Sequence, residues 1–390
     1  MNEAHSPRLA GLDTLRALAI ALVFMHHYQI FVSGAPTFGW AGTLGWVGVD
    51  LFFVLSGYLI ADQLLAGLVR GQRLSLRAFY TRRALRTLPV FWVVLAAYFL
   101  WPSVMGGRTP PALWRFLTFT QNWLLPPGTA FSHAWSLCVE EQFYLVLPLA
   151  LLVGVKAGAT RWHGWALLLG LTAVGMGARA WLWARWGLEA NDAVAGYHPH
   201  LYYATLARAD EFLPGVAVAL LKHAHPQRWE ALMRRGQTVL VLGVLACAAM
   251  LAALLKGYYI DGYGYGFAMT TFGYSLNAMA FALLVMAALS PHSALARCQV
   301  PGARHLALWS YSLYLSHKAV GHIVKTQLAP ADPTSGWLLL AVALASLAVG
   351  WALYRAVEMP FMALRRRLAP SNFPAVPRTA SQAGTAAPAT

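Results

Sequence analysis

DTLRALAIALVFMHHYQIFV, Asp13 to Val32, decides how the rest of the chain is read. It has the length of a membrane-spanning helix, which needs about 20 mostly apolar residues. Yet it holds Arg16, His26 and His27. Eleven residues separate Arg16 from His27, roughly 16 Å at 1.5 Å per residue and about three turns, so both face one way. A cation at a helix centre costs roughly 2.5–3.5 kcal/mol on insertion scales. Two readings follow. Arg16 snorkels to the interface while His27 packs as a hydrogen-bonded core residue, or the helix lines a polar interior with a cation toward one membrane face and an imidazole toward the other.

The composition extends this to the whole chain. Of 390 residues, 58% are hydrophobic and 11% charged, against roughly 25% charged in an average soluble protein. A soluble domain is excluded, because too few polar side chains remain to cover a surface. Ten segments have spanning length: 13–32, 45–67, 85–101, 136–155, 162–183, 205–222, 237–255, 268–289, 306–327 and 336–359. The stretch 112–125 is too short and reads as re-entrant or interfacial. The expected fold is an all-α, polytopic membrane helical bundle of about ten transmembrane helices, with residues 1–368 as its one domain.

Ten spans place both termini on one side. Most Lys and Arg outside the spans fall on that side, from Arg8 through Arg70, Arg73 and Arg77 to Arg365, Arg366, Arg367 and Arg378, and only Arg108, Arg115, Arg185 and Lys256 fall opposite. The positive-inside rule makes both termini cytoplasmic, in a multi-pass protein of the cytoplasmic (inner) membrane. The net charge of +15 is then orienting charge, and no nucleic-acid partner is needed. The first run lacks a small-residue cleavage site and reads as an anchor helix, not a signal peptide. Cys138, Cys247 and Cys298 are too scattered for a metal site and odd in number for a disulfide framework. Residues 369–390, rich in Pro, Ala, Ser and Thr, read as a disordered cytoplasmic tail.

Other charges interrupt the spans. Asp50 lies in the second, Glu140 and Glu141 in the fourth, Arg208, Asp210 and Glu211 open the sixth, His317 and Lys318 sit in the ninth, and Glu358 closes the tenth. Glu140 and Glu141 point about 100° apart on a helix, so one can face the interior and the other the rim. His133 stands three residues before Ser136, at the mouth of the fourth helix. Arg82, Arg83 and Arg86 crowd into about one turn at the start of the third span. Such a run orients a helix, or its guanidinium forks take phosphate oxygens. GWVGVDLFF, Gly45 to Phe53, lies inside a span and lacks the Lys-Ser/Thr of a phosphate loop. The tyrosines of Tyr258–Phe267 read as an interfacial aromatic belt or a sugar-stacking surface.

RLAGLDTLRALAIALVFMHHY (8–28), GVDLFFVLSGYLI (48–60), FYTRRALRTLPVFW (79–92), HAWSLCVEEQFY (133–144), ARADEFLPG (207–215), YSLYLSHKAV (311–320) and VEMPF (357–361) follow one another in order. This arrangement resembles the integral-membrane acyltransferase-3 family, whose members move acetyl or related acyl groups onto envelope polysaccharides, lipid-linked sugars and antibiotics. The resemblance runs from about Arg8 to Arg367. It puts the family's Arg-x10-His motif on Arg16 and His27, its Arg-Arg-x-x-Arg motif on Arg82, Arg83 and Arg86, its Trp-Ser-Leu-x-x-Glu glutamate on Glu140, and a further histidine on His317. Ser316 and Lys318 stand where aromatic residues are frequent, and Thr14 where glycine is usual. Many relatives append a hydrolase-like domain, and this chain is expected to stand alone.

Acyl transfer from a thioester to a hydroxyl needs a base, oxyanion stabilisation and a donor anchor. His27 is the expected general base, since imidazole has an ordinary pKa near 6.5. Glu140 is expected to orient it, as carboxylates do in triads. Arg82, Arg83 and Arg86 are expected on the phosphates of acetyl-CoA or another acyl-CoA, the donor substrate, and Arg16 on the donor within the bundle. No bound cofactor or metal is expected. His133, Asp50, Arg208, Asp210 and His317 are candidate acceptor or supporting residues, and the acceptor is a carbohydrate or glycolipid of the envelope. The rival reading is a transporter or flippase, which shares the intramembrane charges; no corresponding pair of broken helices in two halves supports it.

Overall fold

The computed structural model describes residues 9–187, 196–260, 264–328 and 332–374. Arg8, Arg378, most of the expected tail (375–390) and the loop tip at 261–263 lie outside the described residues. Eight stretches are long and apolar enough to cross a membrane: Ala10–Ser33, Val47–Val69, Leu76–Leu100, Ser132–Lys156, Arg161–Gly187, Gly236–Lys256, Met269–Leu289 and Gly336–Leu368. The expected polytopic helical bundle is present. Its helices are α1 (Ala10–Tyr28), α2 (Val47–Val69), α3 (Leu76–Leu100), α4 (Trp135–Lys156), α5 (Arg161–Leu182), α6 (Leu213–Ala224), α7 (Gly236–Lys256), α8 (Tyr274–Leu289), α9 (Ala303–Leu328), α10 (Gly336–Leu353) and α11 (Met359–Leu368).

Two of the ten expected spans are of a different kind. Helix α9 has the length, 26 residues, but His305, His317, Lys318, His322 and Lys325 dilute its apolar character. The stretch 205–222 is not one helix. Thr205–Arg208 is a single turn, Ala209–Phe212 a 3-10 turn, and α6 begins at Leu213 with Pro214 in its first turn. Arg208, Asp210 and Glu211 occupy the break, where Arg208 and Glu211, three residues apart, share one side and pair, and Asp210 turns to Arg179. The stretch 112–125 does not span: it forms the short helix Leu113–Leu117 and turns, anchored by buried Phe116 and Leu125. In the α7–α8 loop Tyr258–Ile260 pairs antiparallel with Gly264–Tyr265.

Lipid is as apolar as leucine, so close backbone approach, not hydrophobic exclusion, draws membrane helices together. Glycines supply it here. A Cβ on Gly57 would stand 2.2 Å from the Phe212 carbonyl oxygen, and one on Gly215 2.1 Å from that of Val54. These two reciprocal notches hold α2 against α6. Gly48 does the same toward α1, where a Cβ would meet the Ala19 carbonyl at 2.4 Å.

The beginning of the expected disordered tail is packed. The Ser75 N–H donates to the Asn372 carbonyl at 3.0 Å, Arg82 donates to the carbonyls of Ala369 and Pro370, and the Phe373 ring covers Gly67. Residues 369–374 thus clamp the α2–α3 connection, because a phenylalanine and three backbone carbonyls find partners there.

Gly215→Leu is expected to destabilise the bundle by about 1–3 kcal/mol, the usual cost of overpacking, because backbone rather than a yielding side chain opposes it. Gly170→Leu, on a helix position with no atom within 4 Å of the added Cβ, should leave the thermal unfolding midpoint in detergent unchanged. Equal midpoints for the two variants would show that α2 and α6 do not depend on this contact.

Candidate active site

Two cavities lie between the helices, and they share two wall residues. One, of about 460 Å³, is cationic: Arg16, Arg83, Arg86, Arg365 and Arg366 line it with Glu140 and Glu358. The other, of about 320 Å³, is lined by His26, His27, His133 and His198 and by aromatic rings including Trp46, Trp135, Tyr202 and Tyr274. Val49 and Tyr314 line both. The Tyr314 hydroxyl donates to the His133 carbonyl at 2.6 Å and is 2.6 Å from Ser136 Oγ, so a short hydrogen-bonded chain stands at the boundary.

The imidazoles form a relay whose tautomers follow from its end. His317 Nδ1 is 2.9 Å from the Leu313 carbonyl, which only accepts, so Nδ1 carries the hydrogen. In the neutral ring His317 Nε2 is then an acceptor. It lies 2.6 Å from His27 Nδ1, which must donate. The rings are nearly coplanar, at 13°, with centroids 4.9 Å apart; the excess over 2.6 Å is what two imidazole half-widths account for, so the bond lies in the ring planes. His27 Nε2 is left with its lone pair. His133 is fixed similarly: Nε2 donates to the Leu315 carbonyl at 3.1 Å, and its buried Nδ1 has no partner among the described residues. Its centroid is 5.9 Å from that of His27 and 5.5 Å from that of His317. His198, on the loop wall, has its pKa pushed down to about 4 by burial, so it faces the cavity uncharged at neutral pH. No group of His, Cys, Asp or Glu among the described residues has the geometry to hold a metal ion.

Glu140 does not orient His27. It stands in the cationic cavity, where it accepts from Ser56 Oγ and the Tyr144 hydroxyl. Its position nearly two turns into α4 from His133 carries it away from the imidazoles, and His317 is the group on His27. Glu141 lines neither cavity. The arginine triplet is split as well. Arg83 lines the cationic cavity with its guanidinium 3.7 Å over the Tyr144 ring and a buried Nε without a partner among the described residues. Arg86 is in the same cavity, ion-paired with Glu358, which also accepts from Ser312 Oγ at 3.2 Å. Arg82, about 100° round the helix from Arg83, points to the clamp at 369–370 instead. Arg16 lines the cationic cavity and reaches Ser310 Oγ at 3.4 Å.

Asp50, Arg208 and Asp210 line neither cavity and act behind the walls. Arg208 is fully buried. It donates to Asp50 Oδ1 at 2.6 Å, to Glu211 and to the Tyr202 carbonyl, while Asn277 donates to the other Asp50 oxygen at 2.8 Å. Its guanidinium lies 4.3 Å from the Tyr274 ring centroid and 4.9 Å from those of Trp135 and Tyr202, three rings of the imidazole cavity. Asp210 takes a bidentate fork from Arg179, at 2.5 and 3.0 Å, a geometry specific to guanidinium and carboxylate. Sequence reasoning gave no part to Arg179, Glu211, Tyr314, Ser136 or Tyr144. A fully apolar neighbourhood around Arg179 was a signal for the first, and the three-residue spacing of Tyr314 and His317 on one helical face for the third.

Polytopic helices, intramembrane charge and a histidine cluster beside an arginine cavity accord with a membrane-embedded enzyme. The sequence profile described as an acyltransferase domain matches residues 9–355; the chain belongs to the acyltransferase-3 family. It is similar to the peptidoglycan O-acetyltransferase OatA of Listeria monocytogenes, with 28% identity over 90% of this chain and 55% of that protein. It is also similar to the putative peptidoglycan O-acetyltransferase YrhL of Bacillus subtilis, 33% identical over 56% of this chain and 34% of that one, and to the O-acetyltransferase OatA of Staphylococcus aureus, 32% identical over 39% and 26%. The chain thus spans about half or less of these relatives' length. No solved structure matches it.

Arg208→Met is expected to leave Asp50 and Glu211 buried without their cation and to cost about 3–5 kcal/mol, as breaking buried pairs does. His27→Gln, which removes no ion pair, should unfold at the wild-type temperature in the same detergent. A wild-type midpoint for Arg208→Met would mean that the triad is not what holds the wall.

Proposed function

We propose that the chain is a membrane O-acyltransferase that moves an acetyl or other short acyl group from cytoplasmic acyl-CoA to a hydroxyl of an envelope polysaccharide or lipid-linked sugar. The observation that carries this is the meeting of a cationic cavity and an imidazole cavity at Val49 and Tyr314. The family and the relatives' names support the reaction class. The excess of Lys and Arg on the N-terminal side of the bundle supports a cytoplasmic position for the arginine cavity in the inner membrane.

In this reading Arg83, Arg16 and the Arg365–Arg366 pair take the donor phosphates, and the acyl end reaches the boundary beside Tyr314. The acceptor sugar lies against the aromatic rings with its hydroxyl toward His27 Nε2. As the hydroxyl oxygen attacks the acyl carbonyl, His27 takes its proton and the C–O bond forms. The C–S bond then breaks, and the thiolate leaves with the proton from His27 as CoA thiol. The charge that His27 carries meanwhile is shared along the hydrogen bond to His317 and the Leu313 carbonyl, which replaces the carboxylate of a triad. His133 Nδ1 offers a second acceptor for a sugar hydroxyl.

General base catalysis contributes roughly 10²–10⁴-fold, so His27→Ala should lower transfer of label from acetyl-CoA to envelope glycan at least about a hundredfold while donor binding holds. Arg83→Ala should weaken acetyl-CoA binding about tenfold or more, the loss of one charged hydrogen bond, and Arg82→Ala should not change it. Unlabelled glycan together with passage of an unmodified solute across proteoliposomes would replace the enzyme reading by transport. Equal losses in the two arginine variants would place the donor elsewhere.

A further inference from the structure

We propose that Arg108 and Lys318 form an anion-recognition site at the rim of the imidazole cavity, so that the acceptor is a saccharide bearing a negative charge near the modified hydroxyl. This rests on the reading of that cavity as the acceptor side. The two cations come from distant parts of the chain, and both attach to the one segment Gly128–Ser132. The Arg108 N–H donates to the Gly128 carbonyl at 3.1 Å, and the Ala130 N–H donates back to the Arg108 carbonyl at 2.8 Å. Two residues further, Ser132 Oγ accepts from Lys318 Nζ at 3.0 Å. The same ammonium lies 4.2 Å from the Phe31 ring centroid. Arg108, Ser132 and Phe31 all line the cavity.

Among the described residues nothing anionic answers these charges. Among the described residues no Asp or Glu lines the imidazole cavity, and neither Arg108 nor Lys318 forms an ion pair. Arg86, Arg179, Arg208 and Lys222, by comparison, have carboxylate partners. A lysine held half-buried against an aromatic ring, next in sequence to the relay histidine His317, is poised for a ligand's charge. A guanidinium fork and an ammonium point charge both match a carboxylate or a phosphate. The aromatic walls meanwhile take the apolar faces of sugar rings.

The test uses the purified full-length chain in detergent and reads the emission of its tryptophans, two of which, Trp46 and Trp135, line the cavity. Three probes are titrated: the disaccharide of N-acetylglucosamine and N-acetylmuramic acid, its neutral carboxamide, and the 1-phosphate of that carboxamide. The acid or the 1-phosphate should bind at least about tenfold more tightly than the carboxamide, the value of one charged contact. Preference for the acid identifies a sugar carboxylate, and preference for the 1-phosphate a lipid-linked phosphate. Lys318→Met combined with Arg108→Gln should bring the three affinities together with the carboxamide's nearly unmoved, and Lys318→Arg alone should keep the preference. Equal binding of all three by the wild type, or a preference that survives in the double variant, overturns the proposal. Binding is read without turnover, so a failure of acyl transfer counts against the proposed reaction and not against this site.

Discussion

Arg208 cannot be buried alone, and much of the bundle follows from that. A fully buried guanidinium loses its hydration and recovers it only from anions and carbonyls placed around it. Here those come from Asp50 on α2, Glu211 in the break before α6 and the Tyr202 carbonyl, with Asn277 on α8 completing Asp50. The cation therefore ties three parts of the chain at one point. At the break Arg208 and Glu211, three residues apart, lie on one side and pair with each other, while Asp210 between them turns to Arg179. The rings of Trp135, Tyr202 and Tyr274 are set against the same guanidinium, so the electrostatic knot and the wall of the imidazole cavity are one structure. The glycine notches of α2 and α6 work with it by bringing backbones close enough for these short side chains to meet.

A second constraint acts through α1 and α9. Arg16 reaches Ser310, and eleven residues later His27 meets His317. The partners run in the same order along both helices, which fixes the pair as parallel. Each cavity thus takes side chains from the same two helices at a different depth. The roughly 16 Å between Arg16 and His27 separates a guanidinium in one cavity from an imidazole in the other, both carried by a single helix.

The sequence made the helices and the Arg16–His27 pairing legible because both are local: apolar length and helical pitch need no knowledge of neighbours. It did not reveal what His27 touches. Its partner His317 lies 290 residues away, and a carboxylate in a matching motif, Glu140, was the more familiar candidate. Nor does spacing distinguish Arg82 from Arg83, since adjacent residues differ by about 100° and only the packed neighbours decide which faces a cavity. The stretch 205–222 was apolar enough to pass as a span; its break is set by buried partners on α2 and α8. Residues 369–374 had a disordered composition, yet a single aromatic ring and a few backbone groups with nearby donors were enough to dock them.

The charge balance of the two cavities gives the arrangement its direction. In the arginine cavity the two glutamates are already engaged, Glu358 by Arg86 and Ser312 and Glu140 by Ser56 and Tyr144, and cations outnumber them. That leaves a field suited to a polyanion with several phosphates. Among the described residues the imidazole cavity has no carboxylate in its lining, so no fixed anion there would oppose negative charge developing on a bound group. Between them the Tyr314 hydroxyl is held by Ser136 and the His133 carbonyl. A polar path through an apolar bundle must be closed to water at some depth, and a hydrogen-bonded tyrosine does so without leaving a buried polar group unsatisfied. The two cavities, one cationic and one of neutral rings, thus have the Tyr314 ring as a common wall.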